Sequence, residues 1–256
     1  DVGVEQNSNF VWAAVKRLIR NLVDSSGVAA DAILGLIPVS QYSSIVPVGA
    51  DGNPLMNMLM HMDYRGAPKV LRERYGVKPD NLWKQYQWLR INGIPPLDTG
   101  MDSVSHMRFI KYAHPDIYEK TAVFLEAMDF LTLKFTGRAT ANQCTALMML
   151  GVDNRNKAAT DFDPKLIAYS GIDKDKWPEL VPIGSVVGTI LPDVAAELGL
   201  LPTTKVIAGL NDTQTGGVAT SAFKGSHAAI SIGTTGVIIT HVDFKRTDLR
   251  TQLTTM

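Results

Sequence analysis

Asp212 is the residue best placed to do chemistry. It closes the stretch 205–212, KVIAGLND, in which apolar Val206, Ile207 and Ala208 run into Gly209 ahead of the carboxylate. That pattern predicts a buried strand delivering a charge at its C-terminal end, where open α/β sheets gather their ligands. Further on, residues 228–242 are apolar and rich in β-branched types, interrupted by Gly233, Thr234, Thr235 and Gly236. Those types suit a hairpin whose turn offers backbone N–H groups and two hydroxyls to an anion. A carboxylate that can take a hydroxyl proton, opposite a phosphate cradle, is the equipment of phosphoryl transfer. Each feature has a plainer reading, and taken singly the plainer one is favoured: Asp212 as the N-cap of a helix over 213–221, and 233–236 as an ordinary turn.

The elements that must position these residues are legible in outline. Asn7 or Ser8 caps a helix in which Phe10, Val11, Ala14, Val15, Leu18, Ile19, Leu22 and Val23 recur at helical spacing before Gly27 stops it. Residues 33–39 form a short apolar run that opens into polar Ser40, Gln41, Tyr42, Ser43 and Ser44, then a strand at Ile45 and a turn at 50–53. The pattern is helical from 69 to about 92, with Gly93, Pro95 and Pro96 forcing an extended loop behind it. A helix begins near Val104 and ends at Pro115, an amphipathic helix spans 126–135 up to Gly137, and a small helix lies within 161–170. Residues 188–198 read as a turn entering a helix through Pro192, which leads to the strand that carries Asp212.

Other candidates divide the same way. Asp63 and Arg65 follow an apolar run and suit either sugar hydroxyls or an exposed ion pair, the commoner case. The five histidines form no HxxxH or HxH pattern beside a cysteine or carboxylate, so no local metal motif exists. Walker GxxxxGK[ST], GxGxxG and GxSxG are absent, which argues against P-loop ATPases, dinucleotide-binding dehydrogenases and serine hydrolases. At 256 residues, 45% hydrophobic and 20% charged, the chain can bury a large core or two smaller ones. The 25 basic and 25 acidic residues balance, so no global field attracts nucleic acid or an anionic membrane. A single cysteine, Cys144, excludes an internal disulfide and fits a reducing, cytoplasmic setting. Neither a membrane-length apolar run nor a signal-peptide pattern is present in this stretch.

In their order along nearly the whole chain these segments resemble the FGGY family of carbohydrate kinases, most of all its xylulokinase-type members. Residues 3–12 resemble the "WAEQDP...W" start of the first long helix. Residues 39–44 resemble the "SGQMHG" sugar loop, with Gln41 matching Gln while Tyr42 and Ser43 replace Met-His. Residues 61–65 resemble "WNDQR", keeping Asp63 and Arg65, and 93–96 resemble "G.PP". His106 and Phe109 stand where a "K..W" signature has Lys and Trp, and Asp129 with 135–137 resembles "KDYLNYRLTG". Residues 209–212 resemble "GGGD", whose Asp is the family's catalytic base, and 233–236 resemble the "GTSG" loop that contacts ATP phosphates.

The resemblance implies an α/β, actin-like ATPase (ribonuclease H-like) fold of two domains that close over ATP and a sugar. Residues 1–223 are expected to be the sugar-binding, catalytic domain without its first strands, and 224–256 the start of the ATP-binding domain. Asp212 is then the base; Gln41, Tyr42, Ser43, Asp63, Arg65 and Thr213 line the sugar site; Gly233, Thr234, Thr235 and Gly236 hold phosphate. No residue is assigned as a metal ligand. The expected activity is Mg2+- and ATP-dependent phosphorylation of a sugar or polyol, a ketopentose such as xylulose first. Alternatives are a ribulose, glycerol or tetritol kinase, or a non-catalytic sugar sensor or scaffold. The expected partners are the sugar and a second copy of the chain in a homodimer. The stretch is also expected to belong to a longer polypeptide and to be inactive and aggregation-prone alone.

Overall fold

The structure, a computed structural model, describes residues 3–225, 227–232 and 236–242, and the backbone of 247–248 and 253–254. A short strand β1 (Glu5–Gln6) leads into helix α1 (Ser8–Ser26). The Asn7 side chain accepts from the Phe10 amide to start α1, and left-handed Gly27, φ 68°, ends it, as the sequence predicts. Strands β2 (Gly35–Leu36), β3 (Val39–Ser40), β4 (Ile45–Val48) and β5 (Met58–Leu59) follow. The pattern over 69–92 resolves into two helices, α2 (Pro68–Tyr75) and α3 (Leu82–Ile91), because Gly76 turns left-handed at φ 69° and Pro79 lies in the connection. Pro115 ends α4 (Ser103–Ala113) but also occupies the first position of α5 (Pro115–Lys120), where its missing N–H is no loss.

The stretch expected as one helix from 126 is a strand and a helix: β6 (Val123–Glu126) and α6 (Ala127–Thr136). Helix α6 is buried nearly all round, so it is not amphipathic. The further elements include β7 (Thr140–Ala141), α7 (Pro164–Ser170), β8 (Glu179–Leu180), β9 (Val186–Thr189), α8 (Pro192–Leu198), β10 (Lys205–Ile207), β11 (Leu210–Asn211), α9 (Asp212–Ala219), β12 (Ala228–Ile232), β13 (Gly236–Thr240), β14 (Thr247–Asp248) and β15 (Leu253–Thr254). Strand β9 occupies what reads as a turn in the sequence.

The α/β expectation holds. One sheet runs β1-β5-β4-β6, all antiparallel, and a second runs β2-β10-β9, with β10 parallel to β2. Past a break at Pro38 opposite Ala208 and Gly209, the same two chain segments pair again as β3 and β11, still parallel. Helix α6 lies under this break: a Cβ on Gly209 would sit 3.1 Å from the Met128 side chain and 3.2 Å from the Pro38 carbonyl oxygen, so only glycine fits without displacement.

Helix α1 turns Val11, Trp12, Val15, Ile19 and Val23 inward, where Trp12 meets Phe135 edge-on at 5.0 Å. The rest of the expected apolar face does not follow: Phe10, Leu18 and Leu22 are 63–68% exposed. The largest core cluster gathers Trp88, Met107, Ile110, Phe124 and Leu166 around α3, α4 and α7.

Gly66 is where the 63–65 turn meets α4, and a Cβ there would overlap the Ser105 backbone carbonyl. Gly66→Ala should therefore cost roughly 1–3 kcal/mol, as overpacking against an unyielding neighbour does. Thermal unfolding by calorimetry reads this as a lowered Tm; an unchanged Tm would show that α4 can shift freely.

Candidate functional site

Two parallel strands end side by side. Leu210 pairs with Val39 and Asn211 with Ser40, so the 41–44 loop and the start of α9 leave the sheet at the same end. The Asn211 side chain fastens the two, its amide nitrogen donating to the Ser40 carbonyl at 3.3 Å and its oxygen accepting from the Thr213 amide at 2.8 Å. Asn211, not Asp212, is thus the helix cap. Asp212 sits in the first turn of α9 with an exposed carboxylate, approached only by the Thr213 hydroxyl at 3.4 Å among the described contacts. A carboxylate relieved of capping is available as a proton acceptor.

Behind this strand end, fully buried Asn142 donates to the Gly209 carbonyl at 2.8 Å and accepts from the Cys144 and Thr145 amides at 2.9 and 3.1 Å. It locks a tight turn onto the segment that carries Asp212. Asn142→Ala would orphan a carbonyl and two amides at roughly 1–3 kcal/mol per unsatisfied group. We expect a lower Tm together with a lower kcat; a normal kcat in the folded variant would show that the strand end does not need this prop.

The 41–44 loop is held from below. Ser40 Oγ donates to Gln41 Oε1 at 3.0 Å, and Gln41 Nε2 donates to Ser44 Oγ at 3.1 Å. Tyr42 and Gln41 are partly exposed, whereas Ser43 is buried and left-handed at φ 56°. Burial beside Cys144 raises the Tyr42 phenol far above its ordinary range, so it stays neutral. Among the described residues its buried hydroxyl, beside Gln214 and Cys144, makes no hydrogen bond of good geometry.

Beneath the loop lies Glu126, fully buried at the end of β6. Its carboxylate accepts from the Ser44 amide at 2.9 Å and, on the other oxygen, from the Ser103 hydroxyl in a short bond. Burial pushes the Glu126 carboxyl up to about 7, although the Ser103 hydroxyl and the Ser44 and Ser43 amides pull it down. Asp129 on α6 is likewise driven well above the carboxylate range by burial, and Asp102, the cap of α4, is raised by burial despite the Leu97 and Ser105 amides. A carboxyl raised in the folded state stabilises most below its unfolded value of 4.5 and loses that contribution as pH rises through about 7. Glu126→Gln removes this titration. Its stability relative to the parent should rise by on the order of 3 kcal/mol between about pH 4.5 and pH 8, read from denaturant unfolding. A pH-independent difference would place the Glu126 carboxyl in its ordinary range.

Asp63 and Arg65 form a separate knot, and it is not the exposed pair that spacing favours. Asp63 is fully buried and accepts from the Val4 amide, the Arg65 amide, and Arg65 Nε and Nη2, the last at 2.6 Å. Burial raises the Asp63 carboxyl, but the Arg65 guanidinium and these two amides outweigh it and hold it below the ordinary range. Arg65 also donates to Glu5 at 2.6 Å and stacks over the Phe109 ring at 4.6 Å. His106 Nε2 lies 3.1 Å from the Asp63 carbonyl oxygen, and burial lowers the His106 imidazole. These bonds tie β1 to the turn before α2 and occupy the Asp63 carboxylate.

The hairpin expected over 228–242 is present, with Ile232 opposite Gly236. Gly233, Thr234 and Thr235 lie outside the described residues. The hairpin seats on α9: Ile239 comes within 3.4 Å of where a Cβ on Gly217 would stand, and the His241 amide donates to the Ala222 carbonyl at 3.1 Å. It is therefore anchored to the helix whose first turn bears Asp212. Among the described residues, a Cβ on Gly216 or Gly236 would meet nothing within 4 Å. Among the described residues no cluster of three or more His, Cys, Asp or Glu is placed to hold a metal ion, and no helix is long and apolar enough to cross a membrane.

Residues 2–219 match the model for the FGGY family of carbohydrate kinases, N-terminal domain. The chain belongs to that family. It is 29% identical over 251 residues to xylulose kinase of Bacillus subtilis, an alignment covering 96% of this chain and 47% of the relative. Among solved structures, gluconate kinase from Lactobacillus acidophilus superposes with a TM-score of 0.82 at 20% identity, covering 96% of this chain and 47% of that one. Plasmodium falciparum glycerol kinase with ADP gives 0.75 at 16% identity, covering 92% and 46%. The fold is thus that of an actin-like sugar kinase, and the chain spans about half the length of the relatives it matches.

Proposed function

We propose that the protein containing this chain phosphorylates a hydroxyl of a sugar or polyol, with Asp212 as general base, and that a ketopentose such as xylulose is its first candidate substrate. The observation that carries the reading is the parallel register of β3 and β11, which sets the polar 41–44 loop beside a carboxylate freed from capping by Asn211. The xylulose kinase relative supports the choice of sugar, and the gluconate and glycerol kinase structures share the fold. ATP, carried with Mg2+, supplies the transferable phosphoryl group. This chain's residues do the rest. Asp212 accepts the proton of the attacking hydroxyl, Gln41, Tyr42 and Thr213 orient the sugar, and the 233–236 segment on the hairpin offers hydroxyl and amide donors to phosphate. Mg2+ would be carried on the phosphates, with no residue of this chain assigned as its ligand. Asp63 and Arg65 support the site by fixing β1. The boundary between the sugar domain and the next falls at about residue 223 in this reading, in a cytoplasmic enzyme.

The test is sugar-dependent ADP release by the full-length protein against xylulose, ribulose, gluconate, glycerol and a tetritol. Asp212→Asn should lower kcat by a factor of roughly 100 or more, the contribution of a positioned general base, with sugar affinity little changed. Parental turnover in that variant would sink the catalytic assignment. Sugar binding without ADP release in the parent would favour a sensor.

A further inference from the structure

Glu126 is a buried acid with no ion-pair partner among the described residues. The acids Asp102 and Asp129 both interact with it unfavourably, and its carboxylate is spent on the Ser103 hydroxyl and the Ser44 amide of the 41–44 loop. The geometry is set by the sheet: Ile45, the first residue of β4, pairs directly with Glu126, so the acid stands under the residues that precede that strand. Ser43 is left-handed, a conformation that costs free energy for any residue with a β-carbon. Such a residue makes successive backbone N–H groups converge into a concave anion receptor. Here the Ser44 amide donates to the Glu126 carboxylate at 2.9 Å, and the preceding Ser43 amide also favours the charged carboxylate. The anion that fills this receptor is the protein's own.

We propose that Glu126 is the positioning residue of the sugar site: its carboxylate holds the left-handed turn at Ser43, on which Gln41 and Tyr42 are presented at the strand ends beside Asp212. Ser103, at the first position of α4, holds the second carboxylate oxygen and keeps the acid facing the loop. The proposal rests on the kinase reading for the ligand, but not for the loop itself.

The experiment compares the full-length parent with Glu126→Ala, Glu126→Gln and Glu126→Asp in two measurements. The first is amide hydrogen exchange of the 41–46 segment, with α8 as the internal reference. The alanine variant should exchange about tenfold faster in that segment, the equivalent of losing one or two hydrogen bonds. The glutamine variant, which keeps a carbonyl oxygen for the amides, should stay close to the parent. The aspartate variant keeps the charge but withdraws it by one methylene, and should loosen the loop as alanine does. Where the alanine variant does not fold, exchange in the aspartate variant decides.

The second measurement is the KM for the sugar against kcat. KM should rise about tenfold or more in the alanine and aspartate variants with kcat changed far less, and glutamine should restore KM, the pattern of lost uniform binding. Unchanged exchange over 41–46 in the alanine or aspartate variant overturns the proposal whatever the activity. So does faster exchange with parental KM. Faster exchange in a protein whose parent phosphorylates no sugar overturns the kinase reading and leaves the grip on the loop standing.

Discussion

The pairing of Asn211 with Ser40 is the constraint on which the site depends. A parallel ladder carries no turn of its own to fix its alignment, so register must come from packing on both sides. It does here: Gly209 lets α6 approach the break in the ladder, the Leu210 amide donates to the Pro38 carbonyl at 3.0 Å, and Asn142 holds the Gly209 carbonyl from the far side. A slip of one residue would send Asn211 to the opposite face, uncapping α9 and withdrawing Asp212 from the 41–44 loop. The arrangement proposed as catalytic is therefore a consequence of one strand alignment, and much of the surrounding structure serves to enforce it.

How far the sequence reveals this depends on the range of the interaction. Helix α1 is readable because its cap and stop are local: Asn7 reaches three residues to Phe10, and Gly27 needs no partner. The strand reaching Asp212 is readable too, since an apolar run ending in a glycine and a charge is a local pattern. What the sequence hides is partnership at a distance. The Asp63 carboxylate looks free beside Arg65, and only folding brings the Val4 amide 59 positions along the chain to meet it. Glu126 lies 82 positions from Ser44, and its helix-forming neighbours draw it into α6, though the preceding Val123, Phe124 and Leu125 are the signature of the strand it ends. Phe10, Leu18 and Leu22 show the converse failure. Their period is helical and apolar, but period alone does not say which apolar stripe the described core takes.

The two polar knots share a boundary, which gives the 63–65 turn a role despite its distance along the chain from the strand ends. His106 touches the Asp63 carbonyl, and His106 lies on the helix that Asp102 caps and Ser103 begins. Ser103 in turn reaches Glu126, and Glu126 reaches Ser44. From Arg65 to the 41–44 loop runs a line of packed polar groups crossing four elements. The bland function of Asp63 and Arg65, fastening β1 to the sheet, thus also fixes the floor on which the loop stands.

That floor is costly. Glu126, Asp129 and Asp102 are all buried, all raised by desolvation, and none has an ion-pair partner among the described residues. Buried acids of this kind weaken a fold relative to apolar side chains of the same shape. Departures from the most stable choice cluster where a structure has something other than stability to secure. Here two of the acids accept from groups that cannot be satisfied by an apolar residue: Asp102 from the amides of Leu97 and Ser105, and Glu126 from the Ser44 amide and the Ser103 hydroxyl. Leucines in their place would pack as well but leave the 41–44 loop and the start of α4 without acceptors. Asp102 and Glu126 stay because they hold backbone, and the backbone Glu126 holds leads to the strand ends where Asp212 stands.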